Sequence, residues 1–125
     1  MLRANRRALK RGGKIGFWTI HPAAGLSPHL RRIASATGPP QSAMRSTNER
    51  LLRSAGFSDI ELIDVSPEYA TTLRAWLAAW EAREQEMREA VGGADFDRRV
   101  ANRNGALDAV DRGILKRTLC IAVRP

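Results

Sequence analysis

The sequence predicts an α/β domain with three short strands and helices between them. Three observations carry this reading. Segments at residues 14–20, 60–65 and 117–123 are rich in β-branched, aromatic and other apolar residues. The stretches between them open on Ser or Thr and close on glycine, as capped helices do. The chain has 125 residues, 43% of them hydrophobic, which fits one domain with a small core.

Taken in order, residues 3–10 read as the end of a helix, with Leu2, Ala4, Ala8 and Leu9 recurring among arginines until Gly12-Gly13 stops it. Residues 14–20 follow as a strand. Its faces are Ile15/Phe17/Thr19 and Gly16/Trp18/Ile20, both apolar, which predicts a strand covered on both sides. His21-Pro22 should end it, because proline offers the ladder no donor. Ser27-Pro28 caps a short helix running to about Thr37, and Gly38-Pro39-Pro40 breaks it, leaving an irregular stretch to Arg45. Ser46-Thr-Asn-Glu49 has the spacing of a capping box, opening a helix over 47–55 that ends at Gly56. Residues 60–65 form the second strand, and the order strand, helix, strand implies a parallel, right-handed crossover. Ser66-Pro67-Glu68 then caps a long helix whose stripe is Tyr69, Leu73, Trp76, Leu77, Trp80, Met87 and Val91. After Gly92-Gly93, the residues Phe96, Val100, Leu107, Val110 and Ile114 share a face, so the two segments predict a helical hairpin. Residues 117–123 end the chain as a strand.

Composition excludes several classes. A single Cys makes no internal disulfide, and no apolar run approaches the roughly 20 residues of a membrane span. The basic start lacks the apolar stretch of a signal peptide, so a soluble cytoplasmic domain is expected. Charge is uneven. Residues 1–53 carry eleven Arg or Lys and one acid, Glu49, within a chain of net charge +8. A basic half is a candidate footprint for nucleic acid or an acidic protein. No reading motif or aromatic-studded basic stripe accompanies it, and nucleic acid is not the favoured partner.

The residues Leu9-Lys-Arg-Gly-Gly-Lys-Ile-Gly-Phe-Trp-Thr-Ile20 resemble the helix, Gly-Gly turn and fifth strand of class I S-adenosylmethionine-dependent methyltransferases, whose usual wording is Leu-Lys-Pro-Gly-Gly. Asn48-Glu-Arg-Leu-Leu-Arg-Ser-Ala-Gly-Phe57 is similar to that family's sixth crossover helix, residues 60–65 fall where its sixth strand begins, and 118–123 where its last, antiparallel strand ends. The resemblance implies a partial Rossmann-like sheet of three strands, two parallel and the last antiparallel between them. It covers most of residues 1–125 as one partial domain. The excursion at 66–114 then looks like a helical lid over a small-molecule acceptor.

Two departures matter. Arg11 stands where the family usually has Pro. More important, the family grips its cofactor with a Gly-rich turn after an early strand and an acid on the ribose, and the chain has no such G-x-G-x-G. The missing strand–helix units would occupy roughly 120 residues. The resemblance therefore implies an acceptor-side half, inactive alone, with S-adenosylmethionine as cofactor of the complete enzyme and none bound by this chain alone. An outer strand at 14–20 without a neighbour invites association, either with a separately encoded amino-terminal half or with a second copy. The alternative is a basic interaction module that keeps the ancestry and binds nucleic acid or an acidic protein; a gene remnant without function is a third reading.

Candidate site residues follow. His21, just past a strand's carboxyl end, could orient or deprotonate an acceptor; the plain alternative is a loop histidine. His29 opens a short helix and is a weaker substrate-binding candidate. Tyr69, Trp76 and Trp80 could wall an acceptor pocket and attract a cationic methyl donor, or simply form the seam of the hairpin. Arg74 beside that stripe could meet an acidic substrate. Cys120 reads as a buried structural thiol, and Asp108/Asp111 have no third partner that would suggest a metal.

Overall fold

The computed structural model describes residues 1–39 and 46–125. Along them run α1 (Leu2–Ala8), β1 (Lys14–Pro22), α2 (Pro28–Thr37), α3 (Asn48–Ser54), β2 (Ser58–Asp64), α4 (Ser66–Ala82), α5 (Glu84–Val91), α6 (Gly93–Asp111) and β3 (Leu115–Val123). Most of the irregular stretch expected before Arg45 lies outside the described residues.

The sheet has the order β1-β3-β2. β3 pairs antiparallel with β1 from Lys14↔Val123 to Pro22↔Leu115, and antiparallel with β2 from Ser58↔Val123 to Asp64↔Thr118. Every ladder in the sheet is therefore antiparallel, so the parallel reading of the first two strands finds no parallel ladder, while the last strand takes the place between them that the resemblance implies. β3 lies between them and takes their backbone groups, so β1 and β2 share a direction without sharing a ladder. A register shift between Ser58 and Glu61 marks a bulge at the start of β2.

Alternation along β3 splits the core in two. On one face Cys120 and Ala122 pack with Leu52 and Phe57, joined by Ile15, Phe17, Leu2 and Leu9, so α1 and α3 cover this side. On the other face Leu115 packs with Ala34, Leu73, Ala106 and Val110, bringing α2, α4 and α6 over the opposite end of the strand. That second cover is short. Ile20 reaches it, but Trp18 is 62% exposed and Ile63 38% exposed. The expectation of a β1 covered on both sides thus holds for Phe17 and fails for Trp18.

Several element ends differ from the sequence reading. Pro22 belongs to β1, tolerated because β1 is an edge strand whose outer side needs no donor. The turn before it is tied down: Gly12 has φ 74°, its N–H donates to Arg124 O at 2.7 Å, and Arg124 N–H donates to Gly13 O at 2.8 Å. A Cβ on Gly13 would lie 2.8 Å from Lys10 O, so this turn requires glycine at both positions.

The cap of α3 is Thr47, which accepts from Arg50 N–H at 3.2 Å, while Glu49 reaches forward to Arg53; the Ser46/Glu49 capping box does not form. At α4 it is Asp64 that accepts from Ser66 N–H at 2.9 Å, and Ser66 Oγ accepts from Arg117 N–H on β3. The predicted two-helix hairpin has a third piece. The helix breaks at Arg83 (φ −123°, ψ 30°), between Trp80 and Met87, where the sequence offers no large apolar residue to bury, and α5 folds back on α6 through Arg88–Asp97.

Candidate functional site

The carboxyl ends of β1 and β2 meet on the face covered by α3. There His21 Nε2 lies 2.8 Å from Thr118 Oγ1, and His21 Nδ1 lies 2.9 Å from the Pro22 carbonyl oxygen. A carbonyl only accepts, so Nδ1 carries the proton and Nε2 of the neutral ring accepts from the threonine hydroxyl. The two bonds fix both tautomer and ring orientation. Next to them Asp64 sits opposite Thr118 in the register. Its carboxylate is held below the usual 3.8 chiefly by hydrogen bonds from Ser66, with Lys116 at 3.4 Å adding a smaller Coulomb effect. A cleft of about 400 Å³ opens here, lined by His21, Asp64, Thr118, Asn48 and Leu51 among others. Chemically it offers an oriented imidazole, a hydroxyl and a carboxylate at one strand end, a set suited to holding and deprotonating a polar ligand group.

Tyr69 and Trp76 lie elsewhere. They line a separate cavity of about 510 Å³ between α2, α4 and α6, with Thr72, Asn102 and Arg103. This is the face opposite His21, so the structure does not bring the histidine and the aromatic residues together. Trp80 continues the row away from the cavity, stacked on Trp76 at 4.2 Å and on Phe96 at 5.4 Å. The ring faces are already covered by cations: Arg103 stands 4.6 Å from the Trp76 centroid and Arg117 5.3 Å from that of Tyr69. His29 is exposed on α2 and lines neither cavity. Arg74 is bound at 2.8 Å to both oxygens of Asp111, across α4 and α6. Cys120 is fully buried, its thiol pushed up to about 11 by desolvation. Among the described residues, no group of His, Cys, Asp and Glu could hold a metal, and no helix is long and apolar enough to cross a membrane.

Sequence reasoning missed Thr118, Asp64, Arg103 and Arg117. Alternation from Cys120 could have placed Thr118 on its face, but its pairing with His21 depends on a register between segments nearly a hundred residues apart. The two arginines resemble any others until α6 and β3 are set against α4.

No protein-family model matches the sequence, and no curated protein matches it. Solved structures do. A phosphoethanolamine N-methyltransferase 2 from Haemonchus contortus, solved with phosphomonomethylethanolamine and S-adenosylhomocysteine, aligns at 21% identity and TM-score 0.77 over 99% of this chain and 29% of that one. A cyclopropane synthase from Mycobacterium tuberculosis aligns at 17% identity and TM-score 0.73, covering 97% of this chain and 48% of that one. A Galdieria sulphuraria protein provisionally assigned as a sarcosine dimethylglycine methyltransferase aligns at 10% identity and TM-score 0.79, over 98% and 46% respectively. The chain has part of a methyltransferase fold. It spans between 29% and 48% of the length of these three solved chains.

Whether these residues fit S-adenosylmethionine can be tested on the structure. The only Gly-Gly turn next to a strand among the described residues precedes β1, and two of its backbone links run to Arg124. Its Gly12 and Gly13 amides already donate to carbonyls, Arg124 O and Lys10 O, so they cannot cradle a ligand carboxylate or ribose. Asp64, the acid at the strand ends, is held by Ser66 and Lys116. Among the described residues, this turn does not fit the cofactor.

Proposed function

We propose that these 125 residues form the acceptor-side portion of an S-adenosylmethionine-dependent methyltransferase. The observation that carries this reading is the fold correspondence with methyltransferases over 97% to 99% of the chain. Residues 66–114 act as a helical lid over a small-molecule acceptor. The cofactor is gripped by further polypeptide, joined or separate, that supplies the glycine-rich turn and the ribose acid and pairs with the open side of β1.

In this reading His21 orients or deprotonates the acceptor's reacting group at the strand end, where Ile20 borders both its cleft and the cavity on the opposite face, and Thr118 and the Pro22 carbonyl hold its ring for the task. When an N–H or O–H of the acceptor replaces the Thr118 hydroxyl as hydrogen-bond donor, Thr118 keeps its proton and Nε2 is the atom that accepts the acceptor's. No methyl-transfer step is assigned to these residues, because the donor's grip is not among them.

Titration calorimetry of the 125-residue chain with S-adenosylmethionine tests the proposal. The expected result is no binding in the micromolar range. Micromolar binding overturns it, since the site described would then have to be sufficient alone.

A further inference from the structure

The cavity between α2, α4 and α6 has the charge of an anion site. Its aromatic walls do not offer bare π faces: guanidinium groups stand over Trp76 and Tyr69, and Arg117 also lies 4.9 Å from the Trp18 centroid. A cationic ligand would meet like charge there. Trp76, read alone, suggests a cation cage; Trp76 with Arg103 against it suggests the opposite.

The pairing of cations elsewhere sharpens the contrast. Of the ten Lys and Arg in residues 54–125, seven meet a carboxylate. Arg124 instead donates to the carbonyls of Arg7 and Leu9, at the end of α1. Arg103 and Arg117 have no carboxylate partner among the described residues, and the Arg117 Nε is buried without a hydrogen-bond partner. Both arginines act on Tyr69 by Coulomb attraction of its ionised form.

Geometry says what such groups can take. A guanidinium stacked on a ring uses its face and keeps its edge N–H groups for a planar, two-oxygen acceptor. Among the described residues, no Asp or Glu lines the cavity to compete for Arg103. Thr37 and Thr72 commit their hydroxyl protons to the Ala34 and Glu68 carbonyls, which leaves, among the described lining residues, Arg103, Asn102 and the Tyr69 hydroxyl as donors. Burial of Tyr69 raises its pKa, so the hydroxyl remains a donor at neutral pH.

We propose that this cavity binds the anionic group of a small molecule, a phosphate monoester or a carboxylate, with Arg103 as the principal donor and Asn102 and Tyr69 beside it. Arg117, behind the Tyr69 ring, adds positive field without direct contact. The assignment of that molecule as a methyl acceptor rests on the function proposed above; the anion site does not.

The test is calorimetric titration of the chain with inorganic phosphate and, separately, with acetate at low ionic strength, folding being checked by near-ultraviolet circular dichroism. One-site binding in about the millimolar range is expected for at least one probe. Tighter phosphate identifies a phosphate monoester ligand, and tighter acetate a carboxylate. Arg103→Gln should weaken the preferred anion by about tenfold, whereas Arg98→Gln, which removes a cation paired with Asp95 outside the cavity, should leave it unchanged. If Arg103→Gln loses its fold, Tyr69→Phe and Asn102→Ala carry the same test, each weakening the anion by a factor of a few. Absence of saturable binding for both probes, wild-type affinity in the cavity variants, or equal loss in Arg98→Gln overturns the proposal. Anion binding together with micromolar S-adenosylmethionine binding would leave this site standing and remove the functional reading instead.

Discussion

His21 is held by both ring nitrogens, and its partners are of different kinds. The Pro22 carbonyl is part of the same strand, whereas Thr118 arrives from β3. Thr118→Val therefore keeps the shape and removes one bond from a half-buried ring; a loss of about 1 kcal/mol in urea unfolding is expected, with the Nδ1–H tautomer retained in nitrogen NMR. Asp64 gives a second measurable effect. Its folded-state pKa lies below the ordinary 3.8, so its contribution is fully present above that value and is lost as pH falls through the folded value. Asp64→Asn should flatten the acid limb of a stability-against-pH curve and leave the curve's slope near neutrality unaltered. His21 was read as the residue that follows a strand, whereas β1 runs through it to Pro22; the hydroxyl that holds it was not legible, because no local pattern states which residue of β3 faces it.

Elements were legible where their signals are local. The strands, the proline-led starts of α2 and α4, and the glycine stops follow from neighbours in sequence. Choices between adjacent candidates were not. Ser46 and Thr47 both can cap, and only backbone geometry selects Thr47, with φ −72° and ψ 151°. Thr47→Ala should cost about 1 kcal/mol, and Ser46→Ala no more than about 0.5 kcal/mol, in paired denaturant melts. The parallel crossover was inferred from order alone, and order does not reveal which strands share a ladder; the place of the last strand between the first two came from the family resemblance, and the observed order agrees with it. The break at Arg83 between α4 and α5 is of the same kind: periodicity ran on past it, while the helix follows buried side chains and bends where they stop.

Across the whole molecule, two small cores on opposite faces of β3 are set against an open strand edge and a net charge of +8. The edge favours association through backbone pairing and Trp18. Self-repulsion between equally basic copies opposes it. Added salt screens the repulsion and leaves the apolar contact, so sedimentation should show association rising with ionic strength. Trp18→Lys should shift the chain towards monomer at every salt concentration; a wild type that stays monomeric throughout would show that the edge is protected. The ion pairs of α5 and α6 are exposed and each adds little, so they tune solubility more than stability.

β3, in the centre of the sheet, is also the strand that leaves the ribosome after both of its neighbours. Until residues 115–123 emerge, β1 and β2 have no ladder to join among the described residues, and Lys14 must wait for Val123. Nascent chains halted just before that point would display two unpaired apolar strands and should be captured by holdase chaperones, while the release of nine more residues lets the sheet close in one step.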